Sequence, residues 1–158
     1  MESCERLYRD NRERVLRFLL HLTGDVELAR DLVQETFARY LGRYGRDSEQ
    51  LGLLFTTARN AGLDALRRRR TSTLPERETA DPRRDPEHQL IDRQEMDRVL
   101  AAIRRLDDTD RQLVALLATG TFSYREIGRL LDLSETNVKV RVHRARLKLK
   151  ALMAEGEA

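Results

Sequence analysis

The chain has 158 residues, of which 36% are charged, 40% hydrophobic and only 5% aromatic, with no Trp, a composition that argues against a large aromatic-lined ligand pocket. One cysteine, Cys4, excludes an internal disulfide, and with three scattered His it is too little for a zinc site, so neither metal nor cofactor is expected. The net charge of +3 conceals two basic segments: residues 59–70 carry five basic and one acidic side chain and residues 139–150 six and none, against nine and ten in residues 1–58 and ten and fourteen in residues 71–138. Two separated positive segments suggest a polyanion held at two places. In chain order, Ser3 is the expected cap of a first helix reaching about Thr23, with Gly24 at its end. Asp25 caps a second helix to about Tyr44. Gly42, Gly45, Asp47 and Ser48 mark a loop before a third helix, about Glu49 to Arg70. The three prolines, Pro75, Pro82 and Pro86, fall in a stretch almost without apolar residues, which reads as a flexible linker. A fourth helix is expected over about Ile91–Leu106. Thr109 and Gln112 have the spacing of a capping box for a fifth, which Gly120 ends. Ser123 and Glu126 form another box and open a short helix to about Leu131. Ser134 caps a last helix to about Met153. No segment alternates as a strand would, so the expected fold class is all-α. Two small helical domains are joined by the linker, with boundaries at 1–70, 71–90 and 91–158.

Helical spacing separates core faces from spare ones. On the second helix Val26, Ala29, Val33, Phe37, Tyr40 and Tyr44 form the core stripe. Leu28, Leu32, Glu35 and Arg39 follow the opposite face, bordered by Asp31. Either another helix of the same domain covers the two leucines, or they form a docking face for another protein. The third helix has Leu51, Leu54, Ala58, Ala61 and Ala65 on its core side and Asn60, Asp64 and Arg67 on another, leading into four consecutive arginines. A cationic run at a helix C-terminus is favoured by the dipole alone. An Asn beside it is more telling, because Asn can read a base edge. The last helix turns Val138, Val142, Ala145, Leu149 and Leu152 to one side and Lys139, Val140, His143, Arg144, Leu147 and Lys150 to the other. An apolar Val140 facing outward among cations suits a thymine methyl in a major groove.

No catalytic constellation is visible: no phosphate-binding glycine loop, no nucleophile elbow, no paired His. The longest apolar run is short of the roughly 20 residues that span a bilayer, and the opening Met-Glu-Ser-Cys-Glu lacks the features of a signal peptide. A soluble cytoplasmic protein, without membrane insertion, is expected.

Three stretches, in order, resemble the extracytoplasmic-function (ECF) group of bacterial sigma factors. DVELARDLVQETF resembles the family's polymerase-binding segment, LLFTTARNAGLDALRRRR its promoter-melting and −10-reading segment, and SYREIGRLLDLSETNVKVRVHRARLKL its −35-reading helix-turn-helix. Leu53 and Leu54 stand where the family often has a Trp, Gly128 where it has Ala, and Asp132 where Gly is usual. The resemblance implies a non-enzymatic transcription initiation factor whose partners are core RNA polymerase, promoter DNA and an anti-sigma protein. It implies polymerase contacts at Leu28, Asp31, Leu32, Gln34 and Glu35. It implies −10 contacts at Asn60, Asp64, Arg67 and Arg68, with the loop from Gly42 to Glu49 shaping a base pocket. It implies −35 readers at Lys139, Val140, His143 and Arg144, with Arg146, Lys148 and Lys150 on phosphates. The residues alone also permit a promoter-binding repressor or activator with a helical sensor domain, or a helical adaptor whose basic faces bind acidic proteins.

Overall fold

Polar caps and glycine stops set most of the helix boundaries. The computed structural model describes residues 2–45, 49–71 and 86–155, and side chains within 4–45, 49–71 and 93–155. Among the described residues there are seven α-helices and no strand: α1 Glu2–Thr23, α2 Val26–Tyr44, α3 Leu51–Thr71, α4 Pro86–Arg104, α5 Asp108–Ala118, α6 Tyr124–Leu131 and α7 Glu135–Glu155. The all-α expectation holds. Gly24 ends α1 at φ 70°, where an L side chain would be strained, and its N–H donates to Leu20 O at 2.9 Å. Asp25 then accepts from Leu28 N at 2.9 Å and starts α2.

Several details of the boundaries differ from expectation. α1 begins at Glu2, so Ser3 lies inside it rather than capping it. Gly42 lies within α2, and Asp47 and Ser48 fall outside the described residues. α4 begins at Pro86 rather than Ile91, because proline's missing N–H costs nothing in a first turn. The expected linker 71–90 is thus shorter: Thr71 ends α3, residues 86–90 are helical, and residues 72–85 lie outside the described residues. α5 starts one residue after Asp107, whose carboxylate accepts from Asp110 N at 2.8 Å. That carboxylate takes the capping role expected of Thr109.

In the first half α2 packs against both α1 and α3. Val15, Phe18, Leu19 and Leu22 meet Ala29, Leu32, Val33, Phe37 and Tyr40 of α2 and Leu54, Phe55, Ala58, Ala61 and Ala65 of α3 in one buried cluster. Val26 and Tyr44, at the ends of the expected stripe, are only partly buried. Leu32 is 1% exposed, which corrects its expected place on an outer face. A helix held between two others buries more than one stripe, and Leu32 lies in that wider buried sector.

The second half is organised around the turn between α6 and α7. Ser123 Oγ accepts from Glu126 N at 3.1 Å while Glu126 Oε1 accepts from Ser123 N at 3.0 Å, completing the expected capping box. Asp132 takes the left-handed conformation (φ 58°, ψ 48°), and Leu133 N donates back to Gly128 O at 2.8 Å. A Cβ on Gly128 would stand 2.5 Å from Leu133 O, a backbone atom. In this turn Gly128 therefore supplies the close approach that lets α7 leave α6 sharply. Ser134 Oγ accepts from Asn137 N at 3.0 Å and caps α7 as expected. Arg111 caps the C-terminal end of α4 from α5: its Nε donates to Ile103 O at 3.1 Å and its Nη2 to Arg104 O at 2.7 Å. Burial lowers its pKa from the usual arginine value, although Asp108 works the other way.

The two halves also pack on each other. α1 contacts α5 and α4, and Leu113, Ala115, Leu116 and Ile127 join the first half's apolar cluster.

Candidate nucleic-acid interface

Capped by Ser134 and seated through buried Val138, Val142 and Ala145, α7 turns its other side to solvent. Lys139, Val140, His143, Arg144, Arg146, Lys148 and Lys150 are all exposed. Val140 and Leu147, at 41% and 55% exposure, are two of the three large apolar residues most open to solvent among the described residues. The structure thus brings all seven expected α7 residues onto the free side of one helix. Lys139 makes only a 3.8 Å pair with Glu135, both ends exposed, an interaction of little energetic weight.

The helix is also held from below. Arg141 lies 4.0 Å from Asp110 of α5, and its Nε donates to Asn137 Oδ1 at 3.3 Å. Burial and the neighbouring Asp107 raise the Asp110 pKa, with Arg141 and Lys148 opposing them. The sequence gives no sign of this anchoring acid. Asp110 and Arg141 are 31 residues apart, with no local spacing to signal the pair.

On α3 Asn60, Arg67 and Arg68 are exposed and Asp64 is half-buried. Asp64 joins a chain of ion pairs. Its Oδ2 accepts from Arg39 Nη1 at 3.2 Å, its Oδ1 lies 3.6 Å from Arg67, and Arg39 Nη2 donates to Glu35 Oε1 at 2.6 Å. Burial disfavours the charge on Arg39, but bonds to Glu35 and Asp64 outweigh it and its pKa is raised. Arg39 therefore links the second helix's expected docking acid to the third helix's polar face. Its i,i+4 spacing from Glu35 is the sequence signal for half of this link. The arginine run divides. Arg67 and Arg68 face outward, Arg69 pairs with Asp25 at 2.8 Å, and Arg70 with Asp108 at 3.0 Å.

The expected docking face on α2 is smaller than the helical spacing suggests. Asp31 and Gln34 are exposed, Leu28 and Glu35 partly so, and Leu32 lies beneath them. Gln34 donates to Tyr8 OH at 2.9 Å. Residues 46–48 of the expected base-pocket loop fall outside the described residues. Beside that loop a groove of about 530 Å³ is lined by Arg6, Leu7, Asp10, Asn11, Arg14, Glu49 and Leu51, but not by Asn60.

A structure that is helical throughout its regular elements among the described residues, with a capped helix-turn-helix and two outward cationic faces, defines a DNA-binding protein of two helical parts. Residues 7–72 match the model of sigma-70 region 2 and residues 96–149 that of sigma-70 region 4. The chain is 32% identical to the ECF RNA polymerase sigma factor SigM of Bacillus subtilis (strain 168), over 98% of this chain and 97% of the relative. It is 32% identical to the RNA polymerase sigma factor CarQ of Myxococcus xanthus, over 99% and 92%. Its fold matches that of CnrH solved with the cytosolic domain of CnrY (TM-score 0.68, 24% identity, 96% and 88% covered). It also matches RpoE solved with the anti-sigma factor NepR from Bartonella quintana (TM-score 0.66, 23% identity, 92% and 95% covered). The chain belongs to the ECF sigma factors and is a promoter-recognising transcription initiation factor. No helix among its described residues is long and apolar enough to cross a membrane.

Proposed function

We propose that residues 1–70 dock on core RNA polymerase and capture the −10 element, and that residues 91–158 read the −35 element. The observation that carries this is the placement of exposed cations and potential base readers on two separate helices, α3 and α7, within the segments matched as regions 2 and 4. Leu28, Asp31, Gln34 and Glu35 form the polymerase-facing surface, with Leu32 as its buried support. Asn60, Arg67 and Arg68 face the −10 strand, and Asp64 holds Arg67. Lys139, Val140, His143 and Arg144 meet −35 base edges, and Arg146, Lys148 and Lys150 the phosphates beyond. The action is binding in the cytoplasm, without bond chemistry. Tethering both domains to one polymerase makes the second DNA contact effectively intramolecular, a gain of about 10²–10⁴ in affinity. An anti-sigma protein is the third partner we assign, since both solved neighbours are complexes, RpoE with a named anti-sigma factor.

Asn60→Ala tests the −10 assignment. Losing a good base contact should cost ~1–3 kcal/mol and relax preference at one −10 position, read by permanganate footprinting on promoter variants. An unchanged ranking of the variants removes Asn60 from the readers.

A further inference from the structure

The interface between the two halves places one member of the −10 segment in a second role. Arg59, next to Asn60 on α3, donates from Nη1 to Leu130 O at 2.9 Å, near the C-terminal end of α6. That end of a helix has unsatisfied carbonyls and the negative pole of the dipole, so a guanidinium is well placed there. The same side chain is not fully satisfied. Its Nε is buried without a hydrogen-bond partner. A buried, unpaired arginine donor opposes the packing that buries it.

Other groups hold the halves together. Phe55 of α3 meets Phe122 edge-on at 5.2 Å, Arg104 of α4 donates to Gly24 O at 2.6 Å, and Arg70 pairs with Asp108. In this closed arrangement the two reading faces cannot be far apart. Asn60 follows Arg59, and nine residues at no more than ~3.8 Å each separate Leu130 from Lys139, which keeps the readers within about 50 Å. Elements about 25 base pairs apart, at ~3.4 Å per pair, lie about 85 Å apart on B-DNA. The closed chain cannot reach both, so the halves must separate on a promoter.

We propose that Arg59 is a switching residue. In the closed chain it caps the C-terminal end of α6, and when the halves separate its guanidinium moves to a phosphate of the −10 strand beside Asn60. This role rests on the −10 reading of α3 given above. It makes closure and DNA capture competing uses of one side chain.

The test uses the full chain and a fluorescent, mixed-sequence, single-stranded 12-mer, since a phosphate contact is independent of sequence. Radius of gyration is read by solution scattering, affinity by anisotropy across a salt series, and folding by thermal melting. Arg104→Ala and Phe122→Ala each remove one contact between the halves, at Gly24 and at Phe55, and neither replaces a residue of the α3 polar face. Each should enlarge the radius of gyration by several ångström and tighten oligonucleotide binding several-fold. Arg59→Ala removes both the Leu130 bond and the unpaired Nε, two effects of opposite sign on closure, so its readout is binding: it should lower the salt slope by about 0.7, one single-strand phosphate contact. In the Arg59→Ala background, Arg104→Ala should no longer tighten binding. Equal tightening by Arg104→Ala with and without Arg59, or an Arg59→Ala protein of unchanged salt slope, overturns the proposal. If Arg67→Ala and Arg68→Ala also leave the slope unchanged, the α3 face holds no DNA, and the −10 reading falls together with the switch. If they lower it and Arg59→Ala does not, only the switch fails.

Discussion

Leu32→Ala should cost about 2–5 kcal/mol of stability, the usual range for emptying a fully buried leucine site. Leu32 is 1% exposed and belongs to the apolar cluster shared by α1, α2 and α3. Against a typical total of roughly 5–15 kcal/mol, that deficit leaves the first half close to unfolding at physiological temperature. Polymerase binding should fall with it, because the fold that presents the docking face is weakened. Leu28→Ala provides the contrast. Leu28 is only partly buried one turn away, so its substitution should shift the melting temperature little and weaken capture by core polymerase more. Denaturant unfolding and pull-down on the same two proteins decide the matter. A normally stable Leu32→Ala protein that no longer binds polymerase would return Leu32 to the docking face.

The second large effect is expected on α7, where reading and holding should separate along the helix. Lys139 and Arg144 lie in the first three turns after the Ser134 cap, on either side of exposed Val140. In helix-turn-helix proteins the early residues of the second helix enter the groove. Lys139→Ala or Arg144→Ala should therefore change which −35 base pair is preferred, by ~1–3 kcal/mol for a bidentate contact. Lys148→Ala or Lys150→Ala should weaken every sequence alike and reduce the duplex salt slope by about 0.9 for each phosphate no longer neutralised. Binding of holoenzyme to a panel of −35 variants at several salt concentrations measures both. Four variants that weaken every sequence by one common factor would make α7 a basic clamp and move sequence reading elsewhere.

How much of the structure is legible in the sequence depends on how local each signal is. Gly24, Asp25, Ser123 with Glu126, and Ser134 work within three or four residues, and each does what its type and spacing predict. The free side of α7 is equally readable, because only one of its faces is packed. Leu32 is not, because a single-stripe reading assumes one buried face and α2 is packed by helices on two sides. The Arg39–Asp64 link and the Arg59–Leu130 bond join residues 25 and 71 positions apart. Nothing in local spacing reports such pairs. The packing of the two halves is likewise invisible in a sequence whose basic segments and proline-rich stretch suggest only separation.

The most direct measurement is run-off transcription with purified core polymerase on genomic fragments, with and without the protein. The account predicts discrete new transcripts only when the chain is present, from start sites sharing −10 and −35 elements. It predicts their disappearance when Asn60 and Arg144 are both replaced by alanine in a protein that still binds core enzyme. Sequence-preferring binding to duplex DNA by the chain alone, with no polymerase-dependent transcript from any fragment, would contradict it.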